Sequence, residues 1–258
     1  MDLEFAINRD YLARHTLESM LQGKYSSDTF RDDLAAFLSV ARGMDEGLLR
    51  EWQALLPRQQ QPAYGEFLLR CDPLLKKLEM TDAFGRLHSQ TEQYRAETAA
   101  RWRADGDRST ADMENITGLD VAGERFTVWI THPSLKNGVY FGNQQIGWGH
   151  AEDFPHYTTI YLWHEILHSK LPDEDHAHAV IQLATDDELR VRLNGGSYPP
   201  HMGHEEFFPE MDRLLPAWRN YLWAPSRDIR TFEADTRQAP QPLILAAPRR
   251  GHGPPGNL

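Results

Sequence analysis

Apolar residues recur at helical spacing through most of the first hundred positions of the chain. They predict one helix over about 28–43 and a second over 45–56. The next apolar run, 68–80, contains Pro73, which predicts a break in that helix. A stripe of aromatic and aliphatic residues between charged positions predicts a fourth helix over 82–104. The first part of the chain is therefore expected to be a helical bundle or cap.

The apolar period changes from helical to two near residue 105. The segment 105–120 is rich in turn residues, and the alternation in 125–131 is typical of a strand. The glycine-rich segment 138–149 indicates another strand or one arm of a hairpin. Two further helices are expected over 158–170 and 173–193.

These patterns predict an α+β fold in three parts. Residues 1–104 form a helical N-terminal region, and residues 105–237 combine a small mixed or antiparallel sheet with helices. Residues 238–258 are rich in proline and glycine and are expected to be a flexible tail.

The charge balance limits the expected partners. The chain has 27 Lys and Arg residues against 38 Asp and Glu, a net charge of −11, so we expect neither nucleic-acid binding nor an anionic membrane surface. No window approaches the roughly 20 apolar residues of a membrane helix. The first residues lack the basic and apolar parts of a signal peptide, and Cys71 is the only cysteine. The expected location is the cytoplasm, and the oligomeric state stays open.

The strongest chemical signal is the run His164-Glu165-Ile166-Leu167-His168 in an otherwise apolar segment. On a helix, residues four apart share a face, so His164 and His168 can bind one metal ion. Glu165 is turned about 100° away and can act as general base on a water molecule. This H-E-x-x-H pattern is typical of a zinc-dependent hydrolase with one Zn²⁺ per chain.

A catalytic zinc ion usually has three protein ligands, so a third is expected. If 173–193 is one helix, Glu188 is a carboxylate set within its apolar stripe, and a metal would offset the cost of burying it. Glu174 is the alternative, at the place of the third ligand in the metzincin pattern, although Leu171 replaces the glycine of that pattern. The acidic and histidine-rich run 173–178 can also bind metal, but its carboxylates also suit the first turn of a helix.

At this point the chain resembles the gluzincin metallopeptidases, the thermolysin-like branch of the zincins, over roughly residues 125–200. The resemblance implies a zincin-like sheet packed on the motif helix, with His164, His168 and Glu188 as zinc ligands and Glu165 as general base. It also implies that 138–149 supplies the edge strand that holds the substrate backbone. Arg192 departs from the family, which often has an acidic residue four positions after the third ligand.

Stabilisation of the oxyanion requires a further donor. Tyr198, His201 and His204 follow the expected third ligand and are the candidates. The predicted function is therefore a zinc metallopeptidase that hydrolyses an intracellular peptide or protein substrate. Two other interpretations stay open: a zinc hydrolase acting on another amide or ester, and a helical interaction protein in which the zinc site is structural or vestigial.

Overall fold

The computed structural model describes residues 1–25, 30–196 and 203–238. The segments are, in chain order, β1 (Asp2–Ala6), α1 (Arg9–Gln22), α2 (Arg31–Leu55), α3 (Pro62–Leu78), α4 (Asp82–Thr117), β2 (Arg125–Ile130), β3 (Asn137–Gly142), β4 (Gln145–Gly149), α5 (Tyr157–Leu167), α6 (Asp175–Gln182), a π-helix (Leu183–Leu189), α7 (Arg190–Leu193), α8 (Phe208–Trp223) and α9 (Ile229–Gln238). The chain is thus mostly helical with one small sheet, and the α+β class is confirmed at this level.

The sheet has the strand order β1-β2-β4-β3. The neighbours β1 and β2, and β2 and β4, are parallel, whereas β3 runs antiparallel to β4 and lies at the edge. The predicted strand at 125–131 is confirmed, whereas 138–149, predicted as one strand or one arm of a hairpin, contains both arms, β3 and β4. Strand β1 was not predicted, because its five residues give too short an alternation to distinguish from a loop.

The helical predictions hold with one correction in the first region. Helix α2 consists of two helical segments that meet at a kink at Asp45, whose angles, φ −158° and ψ 85°, are non-helical, and this confirms the predicted boundary between two helices. The predicted break at Pro73 is wrong, because Pro73 lies inside α3. The residue whose carbonyl loses its hydrogen bond is Leu69, which is exposed, so water can satisfy that carbonyl.

The prediction of turns over 105–120 is also largely wrong, because α4 continues to Thr117 and ends at Gly118. Its buried positions include Trp102, Gly106, Ser109 and Met113, which follow helical spacing. Two of these four side chains are small, so the apolar signal is weak. Gly106 leaves room for the Trp102 ring, and the Trp163 indole of α5 donates to Ser109 Oγ at 3.0 Å.

The hydrophobic core has two clusters that meet along α4. One cluster joins α1, α2 and α3 to the start of α4, as far as Leu87. The other begins on α4 at Tyr94 and joins the sheet to α5 through α9. Leu3 of β1 belongs to this second cluster and pairs with Phe126 of β2. The predicted boundary at 104/105 therefore falls inside a helix, and the first residues of the chain belong to the sheet.

None of the helices in the described ranges is both long and apolar enough to cross a membrane. The predicted tail, 238–258, lies outside the described residues apart from its first residue, which ends α9.

Candidate metal centre

Helix α5 carries the H-E-x-x-H run into the interior. Ten of its eleven residues are buried, because the segment is apolar on nearly every face. His164 lies in the last turn, and His168 is the residue that follows the helix and caps it. The ring centroids of the two histidines are 5.1 Å apart, as expected for residues four apart on one face.

A third histidine comes from α6. The ring centroid of His178 lies 4.8 Å from that of His164 and 4.8 Å from that of His168. The Nε2 atoms of His164 and His178 are 3.0 Å apart. His204, just before α8, completes the cluster, with its ring 5.0 Å from that of His178. His164, His178 and His204 form a group that can hold a metal ion, with one ligand atom from each lying within 4.8 Å of the others.

The histidines are held in the form that binds metals. Burial is the main cause that lowers the pKa of His164 and of His178 to about 3. Burial likewise lowers the pKa of His168 to about 4, and the neighbouring imidazoles add to all three shifts. At neutral pH these rings are therefore uncharged, and each has a nitrogen lone pair for a metal.

Asp186 lies behind His164 on the side away from the pocket. Its Oδ2 is 3.5 Å from Nδ1 of His164, and its side chain is fully buried. Burial raises the pKa of Asp186 to about 7, although Tyr161 and Arg190 lower it. Nδ1 of His164 has no hydrogen-bond partner among the described residues, so Asp186 is a charged neighbour placed where a carboxylate can orient the ring, while Nε2 of His164 faces His178.

Glu165 lies between the histidines and the edge strand β3. It is 8% exposed, and burial raises the pKa of its carboxyl to about 8, while the backbone amide of Tyr140 lowers it. A Cβ added at Gly138 would lie 3.3 Å from Oε1 of Glu165, so a glycine allows the strand to approach. A cleft of about 440 Å³ opens here, lined by Gly138, Val139, Tyr140, His164, Glu165, His168, Asp173, His178 and His204.

The structure does not bring Glu188 to this cluster. Its Oε1 accepts a hydrogen bond from Nε of Arg192 at 2.9 Å, and its side chain is 26% exposed. The cause is the π-helix, in which the amide of Arg190 bonds to the carbonyl of Thr185, five residues back rather than four. The extra residue per turn directs Asp186 inward in place of Glu188. Glu188 is therefore not part of the histidine cluster, in which His178 of α6 lies beside His164 and His168.

Of the other residues predicted for the site, the structure places one in the cleft. Glu174, the alternative ligand, forms a 3.0 Å ion pair with Arg237 and does not line the cleft. Of the three candidates for oxyanion stabilisation, His204 lines the cleft. Tyr198 and His201 lie outside the described residues.

Sequence reasoning missed His178 and Asp186. The signal for His178 was present in the histidine-rich run 173–178, where two histidines stand two residues apart. The structure separates their roles. Nδ1 of His176 lies 2.7 Å from Glu210, so His176 joins α6 to α8, whereas His178 faces the cleft.

The comparisons with known proteins give no relative for this chain. No protein-family model, no curated protein and no solved structure matches it.

Proposed function

We propose that the chain is a zinc-dependent peptidase with His164, His168 and His178 as ligands of one Zn²⁺. The observation that carries the proposal is the position of Glu165, a buried carboxylate between a cluster of neutral histidines and the edge strand β3. Burying a carboxylate is costly, and Glu165 lies on the open side of the histidines, in the cleft, where a general base is needed.

The donors are all imidazoles; the group whose ligand atoms lie within 4.8 Å of one another is His164, His178 and His204, and His168 lies beside this group, with its ring 5.1 Å from that of His164. Imidazole nitrogen is among the preferred ligands of Zn²⁺, with bonds of about 2.0–2.1 Å. Two nitrogens bound to one tetrahedral ion are then roughly 3.3 Å apart. The 3.0 Å between Nε2 of His164 and Nε2 of His178 is close to this spacing.

Glu165 performs the proton transfer in this proposal. The zinc, when bound, supplies Lewis acidity and makes water acidic enough to lose a proton near neutral pH. Glu165 accepts that proton and delivers it to the amine that leaves. Burial raises the pKa of this carboxyl, which makes its ionised form a stronger base than an exposed glutamate. His204 lines the same cleft and is the remaining candidate donor to the oxyanion.

The substrate is proposed to lie extended along β3. Among the described residues β3 pairs with β4 on one side only, so its other edge can pair with a peptide backbone. Gly138 and Val139 of that strand line the cleft beside Glu165. An antiparallel edge strand next to a motif helix and a following helix also supports the zincin-like assignment, with histidine in place of the gluzincin glutamate.

The first test is metal content. Purified protein is expected to hold one zinc per chain, to lose it in His178→Ala, and to keep it in Glu188→Ala. The two variants remove one side chain each from the same continuous helical stretch. Zinc that is lost from Glu188→Ala and retained by His178→Ala would overturn the ligand assignment.

The second test is hydrolysis. A library of peptides from a digested proteome is incubated with wild-type protein or with Glu165→Gln, and new termini are identified by mass spectrometry. Cleavage by the wild type alone, at equal zinc content, is expected. Equal zinc and no cleavage that depends on Glu165 would refute the peptidase and leave a structural metal site.

A further inference from the structure

His204 lines the cleft and also lies where it can bind the metal. Its ring centroid is 6.2 Å from that of His164 and 5.0 Å from that of His178, and its ligand atom belongs to the group within 4.8 Å. Its Nδ1 lies 3.5 Å from Oε1 of Glu206. As with Asp186 and His164, a carboxylate at one ring nitrogen leaves the other nitrogen free to bind a metal.

The backbone at His204 is fixed to the helix that carries His178. Gln182, one turn after His178 on α6, is fully buried. The amide of His204 donates to Oε1 of Gln182 at 2.6 Å, and Nε2 of Gln182 donates to the carbonyl of His204 at 3.3 Å. One side chain thus holds both polar groups of the His204 backbone and sets the spacing between His178 and His204.

Gly203 makes this attachment possible. Its φ is +119°, and a Cβ at this position would lie 2.7 Å from Oε1 of Gln182. A side chain here would be strained in its backbone and would clash with the amide that holds His204. The contact between Gln182 and the 203–204 backbone is therefore built for close approach.

We propose that His204 is a fourth protein ligand in the resting site, and that its side chain leaves when substrate binds along β3. This inference rests on the proposed function. Four histidine nitrogens fill a tetrahedral zinc site, whereas a catalytic zinc keeps one position open. The resting protein is thus latent, and binding of the peptide exposes the fourth position.

The geometry allows this exchange without unfolding of the segment. The His204 side chain is 53% exposed, so it can turn toward solvent. Both hydrogen bonds to Gln182 involve the backbone, and rotation of the side chain breaks neither. His164, by contrast, is buried and has no such freedom.

The test uses the Co²⁺-substituted protein, whose visible absorption reports the number and type of ligands. Wild type is compared with His204→Gln and with the control His88→Gln, which alters a histidine of α4 away from the cleft. In His204→Gln we expect a changed spectrum, a further change on addition of azide, and Co²⁺ affinity at least about tenfold weaker. Wild type and His88→Gln are expected to match each other and to respond little to azide.

The outcomes separate the two proposals. An unchanged spectrum and affinity in His204→Gln would overturn the fourth ligand, whatever the peptide assay shows. If His204 only donates to the oxyanion, kcat falls in the variant while its spectrum is that of the wild type. If His204 is the resting ligand, the spectrum changes and responds to azide. A changed spectrum without any Glu165-dependent cleavage would support the ligand and refute the peptidase.

Discussion

Replacement of Asp186 by asparagine tests whether the carboxylate beside His164 contributes to metal binding. Asp186→Asn keeps the size of the side chain and removes its charge. The group lost is the carboxylate whose Oδ2 lies 3.5 Å from Nδ1 of His164. Loss of the partner that orients a ligating histidine typically weakens metal binding 10- to 100-fold, which is about 1.4 to 2.7 kcal/mol.

The same substitution has a second effect through Arg190. This guanidinium is 1% exposed, lies 3.7 Å above the Phe154 ring, and has no hydrogen-bond partner at Nε or Nη1 among the described residues. Asp186 interacts with it through charge. Removal of one member of a buried charge pair costs up to about 3–5 kcal/mol, so the metal-free variant should also unfold at a lower urea concentration.

The assay measures zinc affinity by competition with a chromogenic chelator, and measures stability by urea unfolding of metal-free protein. Glu188→Gln is the matched control, since it makes the same carboxylate-to-amide change two residues further along the same π-helix, at a side chain that pairs with Arg192. Only Asp186→Asn should weaken zinc binding. Equal zinc affinity in Asp186→Asn and wild type, or an equal loss in Glu188→Gln, would refute the assigned support of His164.

Three further predictions concern stability. Burial lowers the pKa of His132 to about 4, so below pH 6.5 this side chain binds a proton in the unfolded chain but not in the folded protein. The free energy of unfolding should therefore fall by up to about 3 kcal/mol between pH 6.5 and 4. Urea titrations at several pH values should show a smaller fall in His132→Asn. Gly118→Ala should lower the free energy of unfolding by about 2–4 kcal/mol, because φ at Gly118 is +70° and the new Cβ would lie 1.8 Å from a backbone carbonyl oxygen. Gly23→Ala, at φ +69° with no atom within 4 Å of the new Cβ, should lower it by only about 1–2 kcal/mol. Similar melting temperatures for the two variants would contradict this. His176→Ala should lower stability by about 1–3 kcal/mol and leave zinc content unchanged, unlike His178→Ala.

Much of the fold follows from local patterns. Helices with strongly apolar stripes, and strands with clear alternation, occur where the sequence predicts them. Errors arise where tertiary packing replaces a local signal. Gly106 and Ser109 weaken the stripe of α4, yet Gly106 leaves room for the Trp102 ring and Ser109 accepts the hydrogen bond from Trp163 of α5. Strand β1 depends on pairing with β2, more than a hundred residues later, which no local pattern reports.

In the candidate site, too, some residues follow from local helix spacing and others depend on tertiary packing. His164, Glu165 and His168 come from one run, because residues four apart on a helix share a face whatever the rest of the fold does. His178 depends on how α6 packs against α5. Its distance from His164 is set by the turn between the helices, and spacing along the chain does not determine it.

The π-helix explains why the third ligand was placed at Glu188. In an uninterrupted α-helix, Ile181 and Glu188 lie on one stripe, and Glu188 is the carboxylate in its apolar middle. The segment Leu183–Leu189 instead has an extra residue in its turn, so Asp186 and Arg190 face the interior and Glu188 turns toward Arg192. The burial argument from the sequence, that an isolated carboxylate in an apolar stripe needs a partner, was therefore sound but was applied to the wrong residue. The buried carboxylate is Asp186, and it lies beside Nδ1 of His164. The π-helix therefore places a carboxylate next to one of the proposed metal ligands, and it does not supply a ligand itself.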